Sequence, residues 1–252
     1  MKIKRILLAA LILGAVAVMP GYEQAVEMAA RASAPLTMVI DAGHGGMDSG
    51  AVSKDGISEK DINLAIAKAL QSQAEAYGVE VTLTRETEDG LYAQSNTDGR
   101  WSKVEDLKER KRIIEESGAE LVVSIHLNSF ISDSSVRGAQ VFYAGGGSEE
   151  QKEESKALAE EMQSQLNAEA NEGKDRIVLP KNDMYLFREA DRTMILVECG
   201  FLSSPDDAQL LASQEYQEKI AACIMKSVAK KYDLRQAEKS KIYVIEGRTK
   251  NS

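Results

Sequence analysis

Apolar residues in this chain gather into two kinds of run. Leu36–Asp41, Leu121–Ile125, Ala139–Ala144 and Met194–Val197 are short, rich in β-branched residues and largely apolar. Such runs predict strands buried in the middle of a sheet. The stretch VEVTLTR alternates instead, with Val79, Val81 and Leu83 on one side, and predicts a strand open on one face. Between these runs the apolar residues recur with helical spacing. A helix is expected from about Ser58 to Tyr77, carrying Ile62, Ile66, Ala69 and Leu70 on one stripe. Ser58 followed by Asp61 resembles a capping box, which puts Glu59 in the first turn, and Gly78 is the stop. Further helices are expected at Glu105–Ser117, closed by Gly118, at Ser148–Asn171, and at Ser213–Tyr232. Thr87–Gly99 reads as a polar insertion and Gly145–Gly147 as a turn.

Strands and helices alternating at this spacing predict an α/β layer structure with a largely parallel sheet. Ligands of such sheets collect at the carboxyl ends of the strands. His44, His126 and Glu198 each follow a separate apolar run, and the chain contains only these 2 histidines. Zinc in hydrolases takes three protein ligands and keeps one position open for water. Two histidines at neighbouring strand ends would supply two of them, and a carboxylate would be the third. Glu59, swung back from the start of its helix, is the first candidate, with Asp41 and Asp48 as rivals. Asp41 also suits a supporting role, accepting a hydrogen bond from an imidazole N–H. Glu198 closes the run ILVE, and burying a carboxylate there without a partner is costly. Beside a metal it would act as general base and then as acid for a leaving amine.

Composition narrows the class. A net charge of −9 disfavours a nucleic-acid partner held through phosphates. The lysine- and arginine-rich stretch from Lys226 to Lys250 reads as a solvated helix face and tail. Lys2, Lys4 and Arg5 precede an uncharged apolar run, Ile6–Met19, of about 14 residues, shorter than the ~20 of a membrane-spanning helix. That order is the one found in export signals, with Ala30–Ala32 and Ala32–Ala34 as small-residue cleavage candidates and an uncleaved anchor as the alternative. The 2 cysteines, Cys199 and Cys223, lie in apolar surroundings without CxxC spacing and read as small buried hydrophobes. The organisation expected is therefore a signal peptide or anchor at 1–34, one catalytic domain at 35–234 and a basic tail at 235–252.

The segments VIDAGHGGMDSGAV, ISEKDINLAIAKAL, VTLTRETED, LKERKRIIEESGAELVVSIHLNS and MILVECGFLSSPDDAQLL together resemble the zinc-dependent N-acetylmuramoyl-L-alanine amidases of type 3, over about Thr37–Tyr232. The resemblance implies a twisted mixed, mostly parallel sheet with helices on both faces. It implies zinc ligands at His44, Glu59 and His126 and a catalytic glutamate at Glu198. Arg188, in MYLFREAD, matches an arginine that would hold a substrate carboxylate or carbonyl oxygen, or else pairs with Glu189 or Asp191 at the surface. Asn128 matches a recurrent asparagine that either walls the cleft or caps a loop, and Arg85 and Arg110 match positions read as structural. Cys199 departs from the family's usual apolar residue. The layout is similar to the germination-specific branch of the family. That implies cortex peptidoglycan as polymer substrate in an open groove, muramic-δ-lactam as the later product and a muramic acid deacetylase as pathway partner, with the need for an accessory activator left open. It also implies action outside the cytoplasmic membrane, in the forespore or cortex space. A general autolysin of the same family and a wall-binding regulator without activity are the competing expectations.

Overall fold

In a computed structural model of the chain, the described residues are 35–92, 102–188 and 191–236. The expected leader at 1–34, most of the tail and part of the polar insertion lie outside them. The strands are β1 Thr37–Ala42, β2 Glu80–Leu83, β3 Leu121–Asn128, β4 Gln140–Ala144, β5 Leu179–Lys181 and β6 Thr193–Phe201. The helices are α1 Glu59–Ala76, α2 Lys103–Ser117, α3 Glu149–Glu169, α4 Tyr185–Arg188, α5 Pro205–Leu211 and α6 Gln214–Lys231. The strands form one six-stranded sheet in the order β2-β1-β3-β6-β4-β5. Every neighbouring pair is parallel except β4 with β6. The mixed, mostly parallel α/β sheet expected from the sequence is what forms.

Period-two alternation divides each central strand between two cores. Met38, Ile40, Leu121, Val123, Ile125, Ile195 and Val197 face α1, α3 and α6, where Ile66, Leu70, Leu158, Met162, Ile220 and Ile224 close a large cluster. Each fully buried leucine or isoleucine there contributes ~1.5–3 kcal/mol. Val39, Val122, Met194 and Leu196 face the other way, into a smaller cluster with Ile114, Leu186 and Phe187 from α2 and α4. α2 and the single-turn α4 leave part of that second face open as a cleft.

Helix ends follow the sequence in most places. Ser148 and Gln151 form a reciprocal capping box on α3, and Gly118 takes the left-handed conformation (φ 63°) that ends α2. The helix expected from Glu105 starts at Lys103, because Ser102 caps it by accepting from Glu105 N. The capping box expected at Ser58 does not form: its hydroxyl makes no cap bond. Glu59 N and Lys60 N instead donate to Ala51 O and Ser49 O, 2.9 and 3.1 Å away, so the preceding loop satisfies those donors. A second difference concerns the strand ends. β3 and β6 continue past their apolar runs, so His126 and Glu198 lie inside strands, in register with each other. The apolar run stops there because the outward side chains no longer meet a core, while the backbone ladder goes on. β5, α4 and α5 are too short for periodicity to have announced.

Candidate active site

The loop after β1 is held in an unusual shape. His44 has φ 62°, a left-handed conformation that costs a non-glycine residue ~1–3 kcal/mol unless its surroundings impose it. Two buried arginines do so. Arg110 donates to Ala42 O at 2.7 Å and to His44 O at 2.5 Å. Arg85 donates to Ala42 O at 3.0 Å and to Gly43 O at 3.1 Å. Three consecutive carbonyls are thus tied to guanidinium groups. Arg110 is in turn paired with Asp41 and Asp106, each at 2.7 Å. Burial would raise the Asp41 pKa, but Arg110, His126 and Ser124 outweigh it and hold it at about 2. Asp41 therefore serves Arg110, Thr84 and Ser124; it makes no hydrogen bond to an imidazole, in contrast to the sequence expectation.

Glu59 opens α1 and is 3% exposed. Its Oε2 accepts from Ala51 N at 2.8 Å, and its Oε1 accepts from Leu127 N at 2.9 Å. The same Oε1 lies 3.2 Å from His44 Nε2 and 3.1 Å from His126 Nδ1. Burial pushes the carboxyl up, yet the two imidazoles hold it far below the ordinary range. Asn63, one turn along α1, donates to both Glu59 Oε1 (3.3 Å) and Gly43 O (3.2 Å), joining the helix to the histidine loop. Two glycines make room for this arrangement. A Cβ at Gly43 would overlap the His126 ring, and one at Gly50 would sit 2.5 Å from Glu59 Oε2.

The three side chains form a donor set that fits a divalent cation. One ligand atom from each of His44, Glu59 and His126 lies within 4.8 Å of the others. The imidazole rings stand at 77° with centroids 5.0 Å apart, so they meet edge to face without stacking. Donors about 2.0–2.1 Å from a tetrahedral zinc are ~3.3 Å from one another, close to the 3.1 and 3.2 Å separations at Glu59 Oε1. Asp48, a rival carboxylate in the sequence, sits on the far side of His44, its Oδ2 2.9 Å from Nδ1. That contact leaves Nε2 turned towards Glu59. Burial would lower the His44 pKa, but Glu59 and Asp48 together raise it.

Glu198 stands on β6 opposite His126 and opposite Gln140 of β4. Its side chain reaches the surface in part, but Oε2 is covered and has no hydrogen-bond partner among the described residues. Burial pushes its pKa above the ordinary carboxylate value, with nearby Glu59 adding to the effect. His44, Glu59, His126 and Glu198 share one cleft of about 380 Å³, walled by α2 and the 181–186 segment. A protonatable carboxylate next to two imidazoles and an ionised glutamate is suited to moving a proton beside a bound cation.

Other sequence candidates fall elsewhere. Arg188 is exposed at the end of α4, its guanidinium 6.0 Å over the Tyr185 ring, and it is not among the residues lining the cleft. Asp191 pairs with Arg192 instead. Asn128 accepts from Ser129 N at 2.8 Å, the loop-capping role. Cys199 and Cys223 are buried and unpaired with each other. Sequence reading passed over Asn63, Lys181 and Tyr185. For Asn63 a signal existed, since a polar residue four after Glu59 shares its helix face; for the other two, on short irregular segments, there was none.

Residues 38–230 match the N-acetylmuramoyl-L-alanine amidase family model. The germination-specific N-acetylmuramoyl-L-alanine amidase of Bacillus subtilis strain 168 is 36% identical over 189 residues, 75% of this chain and 76% of that protein. The CwlD amidase of Clostridioides difficile, solved in complex with the GerS lipoprotein, is 40% identical with a TM-score of 0.72, covering 79% of this chain and 98% of that one. The amidase AmiC2 of Nostoc punctiforme is 33% identical with a TM-score of 0.65, covering 79% and 97%. The chain belongs to the N-acetylmuramoyl-L-alanine amidase family of type 3, and peptidoglycan is its substrate.

Proposed function

We propose that the chain cleaves the amide between N-acetylmuramic acid and L-alanine using a zinc ion held by His44, Glu59 and His126. The observation that carries this is the convergence of the three donors with an unpartnered Glu198 oxygen in one cleft. Enzymes of this family are generally zinc-dependent. When bound, zinc supplies Lewis acidity and lowers the pKa of a coordinated water from ~15.7 towards ~7. Glu198 accepts the proton of the attacking water as the lactyl carbonyl is attacked, and returns it to the departing L-alanine nitrogen. Burial, which disfavours the charged carboxylate, helps Glu198 take up that proton. Asp48 keeps His44 Nδ1 engaged, and the Arg85 and Arg110 clamps keep the loop in place while substrate binds. Arg188 is assigned to the rim, where it would meet a carboxylate or carbonyl of the polymer outside the cleft.

Spore cortex is the substrate we assign, on the way to muramic-δ-lactam, which makes a muramic acid deacetylase the next enzyme in sequence. The likeness to the germination-specific amidase supports this, and the complex of CwlD with a lipoprotein supports an accessory activator here. Residues 1–34 would export or anchor the enzyme, 35–234 catalyse and 235–252 form a solvated tail. Purified protein loaded with zinc, and not the metal-stripped protein, should release L-alanine amino termini from cortex peptidoglycan, read by mass spectrometry of the muropeptides. Cleavage confined to vegetative wall would make it a general autolysin, and binding without cleavage a regulator.

A further inference from the structure

We propose that Lys181 is a substrate-recognition residue, the cation that receives a free carboxylate on the peptide side of the scissile amide. The inference rests on the amidase reading and adds a residue that selects the substrate.

The positive charge lining the cleft is unevenly placed. Arg110 is committed to Asp41 and Asp106, at 2.7 Å each, and to backbone carbonyls. The histidines face Glu59 and Asp48. Lys103, on the α2 wall, has its charge felt at Asp48, on the His44 side of the cleft and away from Glu198. A carboxylate entering this space is repelled by Glu59 and Asp48 unless a cation meets it. Lys181 is placed to do that. It ends β5, across the ladder from Ala144, and its Nζ lies 5.0 Å over the Phe142 ring on the cleft side of the sheet. The ring face attracts the ammonium and favours that position. Its charge is felt at Glu198, so the two groups share the cleft. Among the described residues its one carboxylate within ion-pair range is Asp183, at 4.0 Å and with a side chain 82% exposed. So long and solvated a pair holds the lysine weakly and is readily exchanged for a ligand carboxylate. Arg188, the arginine suggested by the family resemblance, is exposed and outside the lining; Lys181 lies within it, on the Glu198 side.

The test uses the zinc-loaded full chain and two synthetic muramoyl-peptides, identical except that one carries the free carboxylate and the other its amide. Wild type should show a KM about tenfold lower for the acid. Lys181→Met should raise KM about tenfold for the acid, leave the amidated peptide unchanged, and keep kcat within about twofold. Lys181→Arg should restore the preference. Equal KM changes on both peptides would reduce Lys181 to a structural residue and overturn the proposal, as would a change confined to kcat, which would act through Glu198. Should wild type cleave neither peptide, the amidase reading falls by itself. Calorimetric affinities of the two peptides for wild type and Lys181→Met then decide on Lys181: loss of an acid-over-amide preference supports recognition, and its absence overturns it.

Discussion

The two faces of the sheet use the same strands for different ends. On one face α1, α3 and α6 cover every central strand, and Val123, Ile125, Ile195 and Val197 are fully buried. On the other, α2 and α4 cover only part, and the neighbouring positions Ser124, His126, Leu196 and Glu198 run from a small core into the cleft. Residues one apart in β3 or β6 thus belong to different regimes. Pleating lets one backbone anchor stability on one side and display chemistry on the other. Burial on the packed face stabilises the fold, while the open face keeps a carboxylate whose burial opposes it.

The largest expected effect lies on the open face. Glu59→Ala should strip most of the zinc and with it essentially all turnover, as should His44→Ala and His126→Ala; metal analysis checks this. Full retention of zinc in Glu59→Ala with its loss in Asp48→Ala would reverse the ligand assignment. Glu198→Gln comes next. It should keep zinc and fold but lose ~10²–10⁴-fold in turnover, or ~2.7–5.5 kcal/mol of transition-state stabilisation. Its melting temperature should hold or rise, since the amide carries no charge for burial to penalise. Loss of metal in that variant would make Glu198 a ligand.

The packed face should respond in the opposite sense. Leu158 on α3 is fully buried, so Leu158→Ala should lower stability by ~2–5 kcal/mol in urea unfolding. Turnover per folded molecule should not change. A fall in kcat equal to that of an open-face variant would erase the distinction between the faces.

Asp41 sharpens the comparison, because it is an open-face residue whose work is structural. Its pKa falls from 3.8 to about 2 in the folded chain. A depressed carboxylate stabilises above its unfolded pKa, so the contribution is fully present above pH ~4 and disappears as pH falls through about 2. The shift corresponds to roughly 2–3 kcal/mol. Urea titrations between pH 5 and 2 should show this loss in wild type and a flatter dependence in Asp41→Asn. That variant should also be weaker at neutral pH, by up to ~3–5 kcal/mol, because the buried Arg110 loses one of its two carboxylate partners and keeps only Asp106. An unchanged pH dependence would move the charge coupling elsewhere.

Much of this was legible in the chain. Buried strands announced themselves as apolar runs, and α1 and α2 as helices stopped by Gly78 and Gly118, with α3 and α6 as longer helical stretches. His44, His126 and Glu198 stood out because a polar residue closing an apolar run is locally anomalous. The roles of Asp41 and Arg110 were less legible. A carboxylate three residues before a histidine reads as its hydrogen-bond partner, and only Arg110, 69 positions away, claims it instead. Lys181 and Tyr185 were invisible because β5 and α4 are too short to carry a period.

What the sequence determined by itself is the alternation of elements and the supply of donor types, since periodicity and residue chemistry are local properties. Which carboxylate joins the histidines was decided only in three dimensions. Asp41, Asp48 and Glu59 are all near His44 in sequence. The left-handed turn at His44, the loop that caps α1 and the bond from Leu127 N aim Glu59 at both imidazoles, while Asp48 is left behind the first and Asp41 is drawn to Arg110. Those constraints come from β3, α1 and α2 at once. A hydrogen bond acts over about 3 Å, so the choice among three nearby acids waits until packing has set the distances between segments far apart in the chain.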